Sequence, residues 1–320
     1  LISDGASAVM VAHMNIPALD NTPNIPSSIS KKVVTDILRQ ELGFRGLIVT
    51  DAMDMKGVKK FFPNGEADVM AIEAGHDLLE ISENSARAID LVEKSINSGR
   101  IKQADLDIRV KRVLASKYWL GLNNYRPVNE TNLYADLNNT SAQSLVQRMA
   151  DAAVTVLKSP KALKKFDAKK STAIVSFGLT TAQEFEQGLQ LQLENYKQFF
   201  ISGKETEEEL KAIHKEIRKH RQLVVAIHDT RTRPRAESDL NEPSKALLKR
   251  LAGRRSISTL FTNPYALASL PVERSGSLIL AYQNEAFMQK AALKVLLGQV
   301  KAAGKLSVTV NKTSKNGDGI

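Results

Sequence analysis

At 320 residues, with 42% hydrophobic and 25% charged composition, the chain is globular and long enough for about two domains. It contains no cysteine, which excludes disulfides, thiolate metal sites and a cysteine nucleophile, and no apolar run of about 18 residues, which excludes a membrane-spanning helix. The formal net charge of +10 is unevenly placed: residues 1–125 hold 15 Lys+Arg against 16 Asp+Glu, and residues 126–320 hold 30 against 19. The excess cations are spread over expected helices with no interleaved aromatics and no Gly-rich recognition loop. They read as solvated faces, and no nucleic-acid partner is expected.

In chain order, Leu1-Ile2-Ser3-Asp4-Gly5 carries no basic, apolar leader and reads as the interior of a larger protein. Ala8 to His13 is a short apolar run ending in a polar residue, a buried strand with its carboxyl end marked. The loop Asn15 to Ser28 holds Pro17, Pro23 and Pro26, which makes it stiff and non-helical. Ser30 can cap a helix whose apolar positions are Val33, Val34, Ile37, Leu38 and Leu42, and Gly43 can end it in the left-handed conformation. Leu47 to Val49 then reads as a buried strand stopping at Thr50-Asp51, so a carboxylate sits where a strand runs out into a loop. That is where α/β folds place chemistry. From spacing alone, Asp51 reads first as a loop aspartate capping the next helix. A helix Glu66 to Ala74, a strand within Gly75 to Ile81, a helix Ser85 to Ser98 and a helix Ala104 to Leu120 follow. The last carries Leu106, Val110, Val113, Leu114 and Trp119 on one apolar stripe and ends at Gly121.

The string GFRGLIVTDAMDM over residues 43–55, preceded by IPSSIS and LRQEL, resembles the nucleophile segment of glycoside hydrolase family 3. Its Asp-Ala-Met-Asp-Met form is similar to the β-N-acetylglucosaminidase branch. The resemblance implies that Asp51 is the nucleophile and that Ala8 to His13 is the sixth strand of a (β/α)8 barrel. Met10 and His13 are then candidate walls of the sugar pocket; otherwise Met10 fills core and His13 holds a loop by hydrogen bonds. Gly75-His76-Asp77-Leu78-Leu79 is similar to the family's last barrel strand, with His76 at a variable, structural position, and residues 109–122 resemble its post-barrel helix. Three strand units make less than half of such a barrel, so residues 1–121 are not expected to be stable alone. The missing N-terminal barrel half, from the same polypeptide or another chain, would supply the acid/base. In this branch that is a His-Asp pair after a Lys-His-Phe-Pro-Gly-His-Gly segment, which nothing here matches.

Residues 122–145 are polar and turn-rich and read as a linker, entered by a helix Ser141 to Ala152. Beyond it, strand-like and helical segments alternate, with strands Ala153–Leu157, Thr172–Phe177, Gln198–Ile201, Leu223–Ile227, Ile257–Phe261 and Leu278–Ala281. Alternation of this kind argues for a parallel sheet covered on both faces. Segments 261–267 and 304–320 resemble the family's C-terminal α/β sandwich, with Thr262 where a glycine is usual and Ser307 where a proline is usual. The expected fold is the C-terminal portion of a TIM-like (β/α)8 barrel (1–121), a linker (122–145) and an α/β sandwich domain with a mainly parallel sheet (146–320).

Retaining glycoside hydrolysis needs a carboxylate nucleophile and a proton donor about 5 Å apart. Asp51 can be the first. Asp54 is expected to cap or form a salt bridge, and His13 lies on the neighbouring strand, beside the nucleophile. The glucosidase branch takes its acid from a second-domain glutamate, for which Glu237 and Glu242 are the candidates. The five histidines form no metal-binding pattern and no Walker or GxGxxG loop occurs, so no metal and no cofactor are expected. The implied function is release of β-linked N-acetylglucosamine, for example from peptidoglycan fragments, with little turnover by this chain alone. The alternative is a non-catalytic scaffold or carbohydrate-binding remnant. The compartment stays open between periplasm and cytoplasm.

Overall fold

The computed structural model describes residues 1–158, 161–233, 235 and 237–320. The chain divides into two compact units, Leu1–Asn129 and Glu130–Ile320.

The first unit is built on three parallel strands, β1 (Ala8–Val11), β2 (Leu47–Ala52) and β3 (Leu78–Glu80), with β2 in the middle. Register pairs Met10 with Val49, and Val49 with Leu78. Because side chains alternate along a strand, Val9, Val11 and Ile48 face one way and pack with Val34, Phe44 and Ala74. Met10 and Leu78 lie on the opposite face, 53% and 43% exposed. Gly46 opens β2 where a Cβ would come within 2.3 Å of the Ser7 carbonyl oxygen, so only glycine lets β2 draw up beside β1.

The helix before β2 spans Lys32–Glu41 and is not the α-helix that spacing predicts. It is wound with i to i+5 bonds, as in Leu42 N–H to the Ile37 carbonyl at 2.9 Å. The wider turn spreads the apolar positions, so that Val34 is buried while Leu42 is 54% exposed. Its ends follow expectation: Ser30 Oγ accepts from the Val33 amide at 3.2 Å, and Gly43 has φ +65°. After β2 come α1 (Lys56–Lys59), α2 (Glu66–Ala74), α3 (Ser85–Asn97) and α4 (Gln103–Trp119). Ala67 and Ala71 of α2 bury Ile29, Met53 and Val58. The stripe on α4 is present but uncovered: the helix buries no residue, with Leu114 56% and Trp119 75% exposed.

One ionic cluster ties these pieces. Asp77, wholly buried, accepts from Arg39 at 2.6 Å, from Arg112 at 2.9 Å and from the Ile48 amide at 2.9 Å. Arg39 also donates to the carbonyls of Phe44 and Gly46, and Arg109 to those of Ile72 and His76. Burial lowers the Arg39 pKa, opposed by the charge of Asp77.

The second unit carries β4 (Thr155–Lys158), β5 (Thr172–Phe177), β6 (Tyr196–Ile201), β7 (Gln222–His228), β8 (Ser256–Phe261) and β9 (Ser277–Leu280) in the order β4-β9-β8-β7-β5-β6. β4 runs antiparallel to β9 and all other pairs are parallel. The helices are α5 (Leu133–Leu137), α6 (Thr140–Ala153), α7 (Glu184–Gln190), α8 (Glu207–Ile217), α9 (Glu242–Leu251) and α10 (Ala286–Leu296). Ala173, Val175 and Phe177 pack with Leu210 and Ile217 of α8 and Leu247 and Leu248 of α9. Ile174, on the other face, packs with Phe185 and Leu189 of α7 and Ala291 and Ala292 of α10. Both faces of the sheet are covered, which is why its strands are continuous apolar runs. α5 falls inside the stretch that composition reads as linker.

Asp77→Asn removes the charge that two arginines share and is expected to lower stability by about 3 kcal/mol. Urea unfolding followed by hydrogen exchange of residues 47–52 measures it; a loss below half that value would mean that the arginines find solvent at no cost.

Candidate active site

The carboxyl ends of β1, β2 and β3 converge on one side of the first unit, and Asp51 is there. Two residues beyond Val49 on β2, its side chain alternates onto the face of Met10 and Leu78, which are 53% and 43% exposed. It is half-buried, and its Oδ1 accepts from the Ala52 amide at 2.8 Å. It caps no helix, since α1 begins only at Lys56. The backbone after it is strapped to the end of β3: Met53 N–H donates to Glu80 O at 2.9 Å and Asp54 N–H to Ile81 O at 3.0 Å, with Ile81 at φ +43°. Met53 is buried under α2, which fixes the direction in which the chain leaves Asp51.

His13 lies just past β1, not within it. Its Nδ1 sits 2.6 Å from Ser28 Oγ and its Nε2 2.9 Å from Ala52 O. A neutral ring meets both by donating from Nε2 and accepting at Nδ1. His13 therefore bridges the proline-rich loop to the residue after Asp51. Ser27 does the same toward β1, donating to Ala12 O at 2.7 Å and accepting from the Met14 amide at 3.2 Å. Ser30 donates to Asp20 at 2.5 Å, and that bond with the one from Thr22 holds Asp20 below the usual carboxylate range. His76, buried, meets Ser28 O at 2.7 Å while its Nδ1 has no partner, and burial pushes its pKa down to about 4. Asp54 is exposed; among the described residues it neither caps a helix nor forms an ion pair.

The second unit holds the two other carboxylates considered as acids. Glu242 opens α9, 84% exposed and paired with Lys245 at 2.9 Å. Glu237 is exposed on the loop after β7, where its carbonyl accepts from Arg231 at 2.8 Å. Thr262 uses the hydroxyl that a glycine would lack to reach Asp229 at 3.3 Å.

A cluster that sequence reading does not find lies at the carboxyl ends of β5 and β7, where strand order reverses. Glu186 Oε1 is 2.9 Å from His228 Nε2 and accepts from Ser176 at 2.8 Å, while His228 Nδ1 is 2.6 Å from Asn284 Oδ1. The side chains of Glu186 and His228 are fully buried, and the imidazole stacks on Phe261 at 4.6 Å. Burial pushes the Glu186 pKa up, but the bonds from His228, Ser176 and Gln183 outweigh it and hold the group below its usual value. Sealed from solvent, the cluster locks two strand ends together. The only local signal was the Gln183-x-x-Glu186 spacing of a capping box, which the structure forms.

Among the described residues no group of three His, Cys, Asp or Glu is placed to hold a metal ion, and no helix is long and apolar enough to cross a membrane.

Residues 1–116 match the glycosyl hydrolase family 3 N terminal domain. The chain is 25% identical to a β-hexosaminidase A of Pseudoalteromonas piscicida over 95% of its own length and 58% of that protein's. It is 36% identical to a β-hexosaminidase of Nitrosomonas eutropha over 29% of its length and 26% of the relative's. Among solved structures it resembles a family 3 β-N-acetylglucosaminidase from a Paenibacillus species, with TM-score 0.71 and 26% identity, covering 97% of this chain and 60% of that one. A β-glucosidase from Listeria innocua shares the fold at TM-score 0.73 and 21% identity, covering 96% and 46%. The chain thus spans three fifths or less of the length of the relatives it matches.

The depressed pKa of His76 makes the first unit acid-sensitive. The unfolded chain takes up this proton near pH 6.5 and the folded chain only near 4. The contribution is therefore complete above pH 6.5 and is lost as pH falls toward 4, by up to roughly 3 kcal/mol. Hydrogen exchange of residues 27–30 and 47–52 should quicken between pH 7 and 4.5 after correction for intrinsic rates, and His76→Gln should flatten that slope. An equal slope in the variant would assign the loss to other groups.

Proposed function

We propose that the chain, whose residues 1–116 match the glycosyl hydrolase family 3 N terminal domain, belongs to that family and supplies the nucleophile half of a retaining β-N-acetylhexosaminidase, with Asp51 as the nucleophile. The observation that carries this is the placement of Asp51, half-buried, at the carboxyl end of the central parallel strand. Residues 1–121 are then the last three strand units of a (β/α)8 barrel, closed by strands outside this chain, and residues 146–320 the α/β sandwich domain. Asp51 attacks the anomeric carbon as an acid on the missing half protonates the departing glycosidic oxygen, and water then hydrolyses the glycosyl ester with that group acting as base. Met10, on the same face, forms part of the pocket wall. His13 acts through the Ala52 carbonyl, orienting the backbone that carries the nucleophile. Relatives named as β-hexosaminidases support N-acetylglucosamine as the sugar, and peptidoglycan fragments are a natural source of it.

The second reading, a β-glucosidase whose acid is Glu237, is favoured only by that side chain's exposure on a loop braced by Arg231. It predicts glucoside cleavage that Glu237→Gln abolishes. A non-catalytic scaffold predicts no turnover in any form.

The test is hydrolysis of a nitrophenyl N-acetyl-β-glucosaminide by this chain alone and joined to a complementing barrel half. The joined form should turn over and the chain alone should not. Asp51→Asn in the joined form should lose at least about 1,000-fold in kcat, and a 2-fluoro-sugar should trap on Asp51. A variant within tenfold of the parent, or a label on another residue, removes Asp51 from this role.

A further inference from the structure

The amino-terminal edge of the six-stranded sheet, opposite the edge sealed by Glu186 and His228, opens into a cleft of about 1430 Å³. Eight Lys and Arg line it against one carboxylate, Glu273. These cations come from segments far apart in sequence: the end of β4, the loop before β5, the start of β7, and the loops before β8 and β9. Folding brings them to one place, and a set of like charges held together costs free energy unless an anion answers it. Only part of that charge is answered internally. Lys170 pairs with Asp167 at 3.2 Å, whereas Lys165, Arg221, Arg254, Arg255 and Arg274 meet no carboxylate at ion-pair distance among the described residues.

The walls are braced. Gln222 clamps the loop before β5 with both ends of its amide, accepting from the Asp167 amide at 2.9 Å and donating to the Asp167 carbonyl at 2.7 Å. The Gly276 amide donates to Gly253 O at 2.9 Å, and a Cβ at Gly276 would come within 2.2 Å of the Arg254 carbonyl oxygen. Ser258 and Ser275 share a buried hydrogen bond at 2.8 Å, and the Lys158 ammonium donates to the Glu273 carbonyl. The arginine-bearing loops are therefore positioned before any ligand arrives.

We propose that this cleft binds a linear phosphodiester polymer that carries no bases, such as a poly(glycerol phosphate) chain. Four of the eight cations are arginines, whose planar forks match phosphate oxygens two at a time. The volume suits several consecutive units of a chain rather than one small anion. Nucleic acid is disfavoured because the lining holds a single aromatic ring, Phe166, half-buried against the core, where a run of stacked bases would need several. The cleft uses residues of the second unit alone and does not depend on the role of Asp51.

Binding of fluorescently labelled poly(glycerol phosphate) to the whole chain is the test, read by polarisation at several salt concentrations. The affinity should fall linearly in log–log form with a slope that reports about four or more phosphates engaged. Arg254→Glu with Arg255→Glu should weaken binding more than about tenfold, and the milder Arg254→Gln with Arg255→Gln should weaken it in the same direction while circular dichroism stays unchanged. Lys215→Glu with Lys249→Glu, an equal charge change outside the cleft, should alter it less than twofold. Equal loss in that control pair, no binding at low salt, or tighter binding of an oligothymidylate of equal charge would overturn the proposal.

Discussion

A single buried carboxylate organises the first unit. Asp77 has no access to water, and its two oxygens are divided between Arg39, Arg112 and the amide that begins the buried part of β2. Burying such a charge is expensive, and only full pairing with good geometry offsets the cost. The helix Lys32–Glu41, the opening of β2, the start of β3 and α4 all contribute to that pairing, so each is positioned relative to the others through one atom group. Asp51 lies three residues after Ile48, about 10 Å along an extended strand. Its place is thus set from behind by electrostatics and from the side by the β1 and β3 ladders.

The loop in front of it is set by neutral hydrogen bonds. His13, Ser27, Ser28 and His76 form a continuous series from β1 through the proline-rich loop to the chain after Asp51. Burial keeps His76, at the far end of this series, uncharged near neutral pH. The second unit uses its two sheet edges in opposite ways. Its carboxyl edge is closed by a buried Glu–His–Asn cluster, and its amino edge gathers an excess of cations around a groove.

Much of this architecture is legible in the residues. β5, β7 and β8 are continuous apolar runs because both faces are covered, and a strand that ends in Thr50-Asp51 announces where its carboxylate emerges. Met10 lies on the Asp51 face, and His13 touches the residue after it. What sequence does not reveal is what depends on partners distant along the chain. Asp77 meets Arg39 and Arg112 across 38 and 35 residues, and Glu186 meets His228 across 42. Helical periodicity shows that Val33, Val34, Ile37, Leu38 and Leu42 form a helix, but not that it winds with i to i+5 bonds. Composition reported the cations of the second half as dispersed. In sequence they are, and only the closing of the sheet edge assembles eight of them. The stripe on α4 was visible as a pattern, but a pattern does not say what covers it.

That bare stripe has a cellular consequence. Leu114, Tyr118 and Trp119 are 56%, 70% and 75% exposed on a helix with no fully buried residue. Greasy surface of this kind is what holdases grip and what drives nascent chains to clump before they are sequestered. Exposed apolar side chains on α4 therefore make that helix the part of the first unit most open to such capture.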